Sequence, residues 1–73
     1  MPLEPLELGY LLVSERPRLT ALAGGLSVTP EVAGAAVRRS LRTTWLAREA
    51  IETRAQLLSR LYGQLEEELR PRA

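Results

Sequence analysis

The stretch TPEVAGAAVRRSLRTTWLAREAIETRAQLLSRLYGQLEEELR, residues 29–70, carries the strongest structural signal in this chain. Thr29 can accept a hydrogen bond as an N-cap, Pro30 needs no donor at the first helical position, and Glu31 suits the positive end of the helix dipole. Strong helix formers follow without a further proline until Pro71. We therefore predict one long helix over 29–70. Positions that could interrupt it are Gly34, the Thr43-Thr44 pair and Gly63.

Apolar residues recur along this segment at helical spacing. One row alternates steps of four and three, like the seam of a coiled coil, and consists of Ile51, Ala55, Leu58, Tyr62, Leu65 and Leu69. A second row contains Leu46, Ala50, Leu57 and Leu61, and an upstream line contains Val37, Leu41 and Trp45. The stripe is wider than a two-stranded seam requires, so we expect the helix to face more than one neighbour.

The first 28 residues differ from the rest because they contain Pro2, Pro5 and Pro17, which argue against one continuous helix. Between positions 6 and 13 the pattern is ambiguous: positions 6, 8, 10 and 12 alternate like a strand, whereas 6, 10 and 13 fit a helix. A short helix could begin near Ser14-Glu15 and end at Gly24-Gly25. The predicted fold is all-α: a short N-terminal helix or helices packed on a long amphipathic, coiled-coil-like C-terminal helix.

A chain of 73 residues forms a single small domain, residues 1–73, with a thin core. Chains of this size usually need a disulfide, a metal or a partner, and the absence of Cys and His excludes the first and removes the commonest metal ligands. A continuous helix over residues 30–69 would be about 60 Å long, too long for the N-terminal segment to cover. We therefore predict a protein partner, either a second copy or a partner helix. The predicted interface residues are Trp45, Ile51, Leu58, Leu61, Tyr62 and Leu65.

No residues suggest catalysis, because the serines have neither His nor Lys to activate them. We expect a non-catalytic protein with no cofactor, metal or small-molecule substrate. Ten basic residues, all Arg, oppose nine acidic residues, all Glu, so the net charge of +1 does not argue for nucleic acid. The longest apolar run is too short to span a bilayer, and the N-terminus has no basic signal region. We expect a soluble cytoplasmic protein from a high-GC bacterial genome; binding of the amphipathic helix to a membrane surface is the least favoured alternative.

A second pattern surrounds the start of the long helix. The residues Leu22-Ala23, Leu26, Val28, Thr29-Pro30-Glu31 and Val37-Arg38-Arg39 resemble a bacterial helix-turn-helix, with the turn around 24–30. The resemblance implies a small DNA-binding protein in which Arg38, Arg39 and Arg42 contact phosphates. This is the alternative to the protein-binding function.

The C-terminal segment carries a further resemblance. The residues Trp45-Leu46, Glu49-Ala50-Ile51-Glu52, Leu57-Leu58 and Leu61-Tyr62 resemble the second helix of the small co-chaperones of bacterial type III secretion needle subunits. Members of that family are helical hairpins that pair with a larger helical-repeat chaperone and keep the needle subunit from polymerising. The resemblance implies a small chaperone or assembly subunit that binds a helical partner in the cytoplasm.

Overall fold

The computed structural model describes residues 3–26 and 29–70 of the chain. It contains α1 over Pro5–Leu26, α2 over Pro30–Leu46, a short 3-10 turn over Arg48–Ala50 and α3 over Arg54–Leu69. No strand occurs among the described residues, so the all-α prediction is confirmed. The predictions that involved Pro2, Val28 and Pro71 lie outside the described residues.

The predicted start of the second helix is confirmed. Thr29 has an extended backbone with φ −132° and ψ 149°, and its hydroxyl oxygen accepts a hydrogen bond from the Val32 amide at 3.2 Å. Pro30 occupies the first turn of α2, where its missing amide hydrogen leaves no bond unmade. Local sequence alone therefore fixes this helix start.

The prediction of one helix over 29–70 is wrong, and the break lies at none of the three suggested positions. The chain leaves α2 after Leu46 and is extended at Ile51, with φ −101° and ψ 113°. Thr53 then caps α3, because its hydroxyl accepts a hydrogen bond from the Gln56 amide at 3.1 Å. The Gln56 side chain reaches back and accepts a hydrogen bond from the Glu52 amide at 2.8 Å. These reciprocal bonds form a variant of the capping box and start a new helix.

The break allows α3 to fold back against α2. The residues of this part that become fully buried are Ile51, Leu57, Leu61 and Leu65. Burial of each of these side chains stabilises the fold by about 1.5–3 kcal/mol. The sum exceeds the free energy lost with the few helical hydrogen bonds that the break removes. The longest dimension of the chain is 39 Å, well below the roughly 60 Å of an unbroken helix. Much of the apolar stripe of the C-terminal half is therefore buried within the chain itself.

The prediction that proline would divide the N-terminal segment is also wrong. Helix α1 is 22 residues long and continues through Pro17 to Leu26, beyond the predicted stop at Gly24-Gly25. Pro17 removes the hydrogen bond to the Val13 carbonyl, but both residues are exposed, so water can reach this carbonyl. Pro5 begins the helix at a position where no amide donor is needed, and the Glu4 carbonyl accepts from the Leu8 amide at 2.9 Å.

Helix α2 lies between the other two helices and packs closely against both of them. Its buried face consists of small residues, namely Ala33, Ala36, Val37, Ser40 and Thr44. Large side chains from the neighbours fill the space beside it, chiefly Leu8, Leu12 and Leu19 of α1 and the buried leucines of α3. The Leu3 amide also donates to the Ile51 carbonyl at 3.0 Å, which holds Leu3 beside the α2–α3 connection.

Candidate functional site

The six predicted interface residues divide into two groups. Ile51, Leu61 and Leu65 are fully buried in the core of the chain itself, so they present no surface to a partner in this fold. The physical reason is the break after Leu46, which turns the apolar face of α3 inward. The other three residues, Trp45, Leu58 and Tyr62, are half-buried and remain partly accessible.

The most exposed large apolar side chains lie instead on α1. Leu6, Tyr10 and Val13 are 88%, 71% and 70% exposed, and their spacing of four and three places them on one face of the helix. We call these three residues the α1 stripe. The opposite face of α1 carries the buried leucines, so this helix is apolar on two sides. The sequence shows the helical spacing of positions 6, 10 and 13, but not which face of the helix is buried. In the structure Leu8 and Leu12 face the core, so the α1 stripe on the opposite face is exposed.

A groove between α1 and α2 continues the α1 stripe sideways. Its volume is about 340 Å³, and it is lined by Gly9, Leu12, Val13, Arg16, Leu41, Arg42 and Trp45. We call it the α1–α2 groove. The Arg48 guanidinium lies over the Trp45 ring, 4.7 Å from the ring centre, and donates to the Trp45 carbonyl at 3.2 Å. These contacts hold the Trp45 side chain at the floor of the groove, with its far edge near Gly9.

A polar contact joins α1 to α3 on the other side of the bundle. The Tyr62 hydroxyl donates a hydrogen bond to a carboxylate oxygen of the buried Glu15 at 2.7 Å. Burial raises the pKa of the Tyr62 hydroxyl above its ordinary value, and the hydrogen bond to Glu15 raises this pKa further, whereas the nearby Arg18 charge opposes the shift. The contact orients the two helices, and Tyr62 is therefore structural as well as partly exposed.

The three arginines predicted to contact phosphates do share a surface. Arg38, Arg39 and Arg42 are exposed and line one depression of about 390 Å³ together with Ala35. We call them the arginine patch. One nitrogen of Arg39 also lies 3.6 Å from a carboxylate oxygen of Glu68, so part of its charge is balanced within the chain.

The helices that flank the predicted turn do not cross as a helix-turn-helix does. Gly9 near the start of α1 and Trp45 near the end of α2 line the same groove, and a Cβ added at Gly9 would lie 4.0 Å from the Trp45 ring. Since the two helices are joined at residues 26–30, this proximity requires them to run antiparallel along most of their length. The helices of a DNA-binding helix-turn-helix meet at about 90–120° instead. The arginine patch therefore lies on the side of a helical hairpin.

One buried polar group is left without a partner. Thr44 is 2% exposed, and its hydroxyl oxygen makes no hydrogen bond within the described residues. The neighbouring Ser40 is also buried, but its hydroxyl donates to the Ala36 carbonyl at 2.7 Å. Thr44 lines a small pocket of about 110 Å³ between α2 and α3, together with Arg60 and Gln64. An unpaired buried hydroxyl costs stability, which gives this position a measurable signature.

The described residues form no cluster of three acidic side chains that could hold a metal ion. Within residues 3–26 and 29–70, no helix is both long and apolar enough to span a bilayer. The hydroxyl groups of Ser14 and Ser40 donate to backbone carbonyls one turn earlier in their helices. The surfaces available for function are therefore the α1 stripe, the α1–α2 groove and the arginine patch.

Comparisons with known proteins provide no relative from which a function could be transferred. No family model matches the chain, and the searches of curated proteins and of solved structures returned no match. The assignment of function consequently depends on the chemistry of these three surfaces.

Proposed function

We propose that this chain is a non-catalytic protein–protein interaction module that binds itself or a partner helix through the α1 stripe and the α1–α2 groove. The proposal keeps the function predicted from the sequence and moves the binding surface from α3 to α1. The exposure of Leu6, Tyr10 and Val13 on one helical face is the observation that carries it.

Contiguous apolar surface is the first support. Single exposed apolar residues are common, but a patch in which several adjoin usually marks an interaction site. Val13 belongs to the α1 stripe and also lines the α1–α2 groove, so the two surfaces form one continuous patch. The patch ends at Arg16 and Arg42, which give it the charged rim expected of a protein interface.

The shape of the patch is the second support. A shallow groove between two antiparallel helices suits a third helix, whose apolar side chains at positions i, i+4 and i+7 would enter it. Trp45 and Tyr10 supply large aromatic surfaces with few rotatable bonds, and such residues often dominate binding energy. A helical-repeat chaperone, the partner implied by the resemblance to type III secretion co-chaperones, is one protein that could present such a helix.

Site-specific photo-crosslinking tests the proposal. A photoreactive amino acid at Tyr10 in the full chain, expressed in cells that encode it, should give a discrete crosslinked product. The same amino acid at Ser59, which is exposed on α3, should give none. Adding Val13→Arg should abolish the Tyr10 product, because an arginine in the patch must be desolvated on binding. Equal products from both positions, or a Tyr10 product insensitive to Val13→Arg, would contradict the proposal.

A second candidate function is binding of nucleic acid, which is favoured by the convergence of Arg38, Arg39 and Arg42 on one depression. Neutralisation of phosphates by these side chains would make the affinity fall steeply with salt concentration. A gel-shift titration at low salt tests it, with the triple substitution to Gln as the informative variant. A matched control replaces the three exposed arginines Arg54, Arg60 and Arg70 by Gln and so removes the same number of positive charges. Equal loss of binding in the two variants would show that net charge alone attracts the nucleic acid.

A further inference from the structure

Two charged residues border the α1 stripe along one edge. At about 100° per residue, Leu6, Tyr10, Val13 and Pro17 lie on the outer face of the helix, opposite the buried leucines. Glu7 and Arg18 both lie along the edge of this face nearer to α3. Both are exposed, and neither forms an ion pair within the described residues.

Glu7 and Arg18 cannot pair with each other in one chain. Arg18 follows Glu7 by 11 residues, which is about 16 Å along the helix axis. From the point midway between Tyr10 and Val13, Glu7 lies about 7 Å towards the start of the helix and Arg18 about 10 Å towards its end. A second helix of the same sequence, running in the opposite direction, would therefore bring an arginine to each glutamate.

We propose that the occupant of the α1 stripe is a second copy of this chain, with the two α1 helices packed antiparallel about a two-fold axis. This inference rests on the proposed protein-binding function and names its partner. In the matching register Tyr10 faces Val13 of the second copy, and Leu6 faces Pro17. Along one edge, Glu7 lies within two residues of Arg18 of the second copy, and the symmetry repeats this pair. In a parallel two-fold arrangement the edges that carry Glu7 and Arg18 would lie on opposite sides of the contact, so neither ion pair could form.

The size of the contact predicts a weak association. One helix from each chain contributes, so the buried area falls at the small end of specific interfaces. The dimer therefore dissociates on dilution. Because surface ion pairs are individually weak, the two symmetric pairs set orientation and partner choice more than they set affinity.

Charge reversal followed by mixing tests the inference. Sedimentation velocity of the full chain across a wide range of concentration should show a monomer that converts to a dimer. Glu7→Arg or Arg18→Glu alone should weaken the dimer about tenfold, because both symmetric pairs become repulsive. An equimolar mixture of the two variants should form a heterodimer at least as stable as the wild-type dimer, because each mismatched charge then meets its opposite.

Two exposed residues of α3 provide matched controls. Glu67→Arg and Arg60→Glu change the net charge by the same amounts but lie on the side of α3 that borders α2, where Arg60 lines a pocket with Thr43 and Thr44, so they should leave the dissociation constant unchanged. Because Arg18 also acts on the Tyr62 hydroxyl, circular dichroism of each variant at the lowest concentration verifies that the monomer is folded.

The outcomes separate this inference from the proposed function. A wild-type chain that stays monomeric, or a mixture that associates no better than the single variants, overturns antiparallel self-pairing. If the Tyr10 crosslink then joins the chain to a different protein and still depends on Val13, the protein-binding function stands and only its assignment to a second copy fails. Absence of both the dimer and the crosslink overturns both proposals.

Discussion

The substitution Thr44→Val tests the packing between α2 and α3 most directly. Thr44 is 2% exposed, and its hydroxyl has no partner within the described residues. Valine has nearly the same shape as threonine and a similar helix propensity, so the change removes the unpaired polar atom and little else. A buried unsatisfied group costs about 1–3 kcal/mol, and we expect a gain in the free energy of unfolding toward the lower end of that range.

This gain is large for so small a chain. A domain of 73 residues is stable by about 4–11 kcal/mol, at about 0.05–0.15 kcal/mol per residue. In thermal unfolding followed by circular dichroism, each kcal/mol raises the midpoint by about 4–8 °C. Thr43→Val is the matched control, because Thr43 is exposed in the same helix and the change should stay within about 0.5 kcal/mol. If Thr44→Val lowers the midpoint, the hydroxyl is hydrogen-bonded and this description of the α2–α3 contact is wrong.

Three further predictions concern the core, the proline inside helix α1 and the contact between α1 and α3. Leu61→Ala should lower the free energy of unfolding by about 2–5 kcal/mol in urea titrations, because Leu61 is fully buried. Leu46→Ala should have little effect, because Leu46 is 67% exposed. Equal effects of the two substitutions would contradict the assignment of the core. Pro17→Ala should raise the free energy of unfolding by about 1–2 kcal/mol, because it restores the hydrogen bond to the Val13 carbonyl. The greater freedom of the unfolded chain offsets part of this gain. A loss of stability in the same titration would contradict this expectation. Burial and the hydrogen bond to Glu15 raise the pKa of the Tyr62 hydroxyl in the folded state. As the pH rises, the unfolded chain therefore loses the Tyr62 hydroxyl proton at a lower pH than the folded chain does. The contribution of Tyr62 to the free energy of unfolding is therefore fully present below its ordinary pKa of 10.0 and is lost as the pH rises through the folded pKa. In thermal melts recorded from neutral to strongly alkaline pH, Tyr62→Phe should lose stability less steeply than the wild-type chain.

The sequence predicted the features that depend on local chemistry. Thr29, Pro30 and Glu31 cap α2 as their residue types indicate, since an N-cap bond forms within a few residues of chain. The break between α2 and α3 was missed because Ala47, Arg48 and Glu49 are all good helix formers. The Thr53…Gln56 spacing of a capping box was present in the sequence and marks where α3 begins.

The position of the binding surface could not be predicted, because it depends on long-range packing. The seam through Ile51, Leu58 and Leu65 looked accessible only while the helix was treated as continuous. Folding α3 back onto α2 buries Ile51 and Leu65. The same packing places α1 along α2 and buries one of the two apolar sides of α1. Only the tertiary arrangement shows which of these sides stays exposed. Trp45 is the one predicted interface residue that lines the α1–α2 groove.

The central place of α2 has a consequence for how fast the chain folds. Its closest partners, α1 and α3, are also its immediate neighbours along the chain, so the main packing contacts join segments that follow one another. Helical domains of such low contact order typically fold in microseconds to milliseconds. Either hairpin, α1 with α2 or α2 with α3, contains part of the small-residue face on which the third helix then packs. We therefore expect two alternative routes that share α2, so that a substitution confined to α1 or α3 would shift the flux between routes, whereas one on the small-residue face of α2 would slow both.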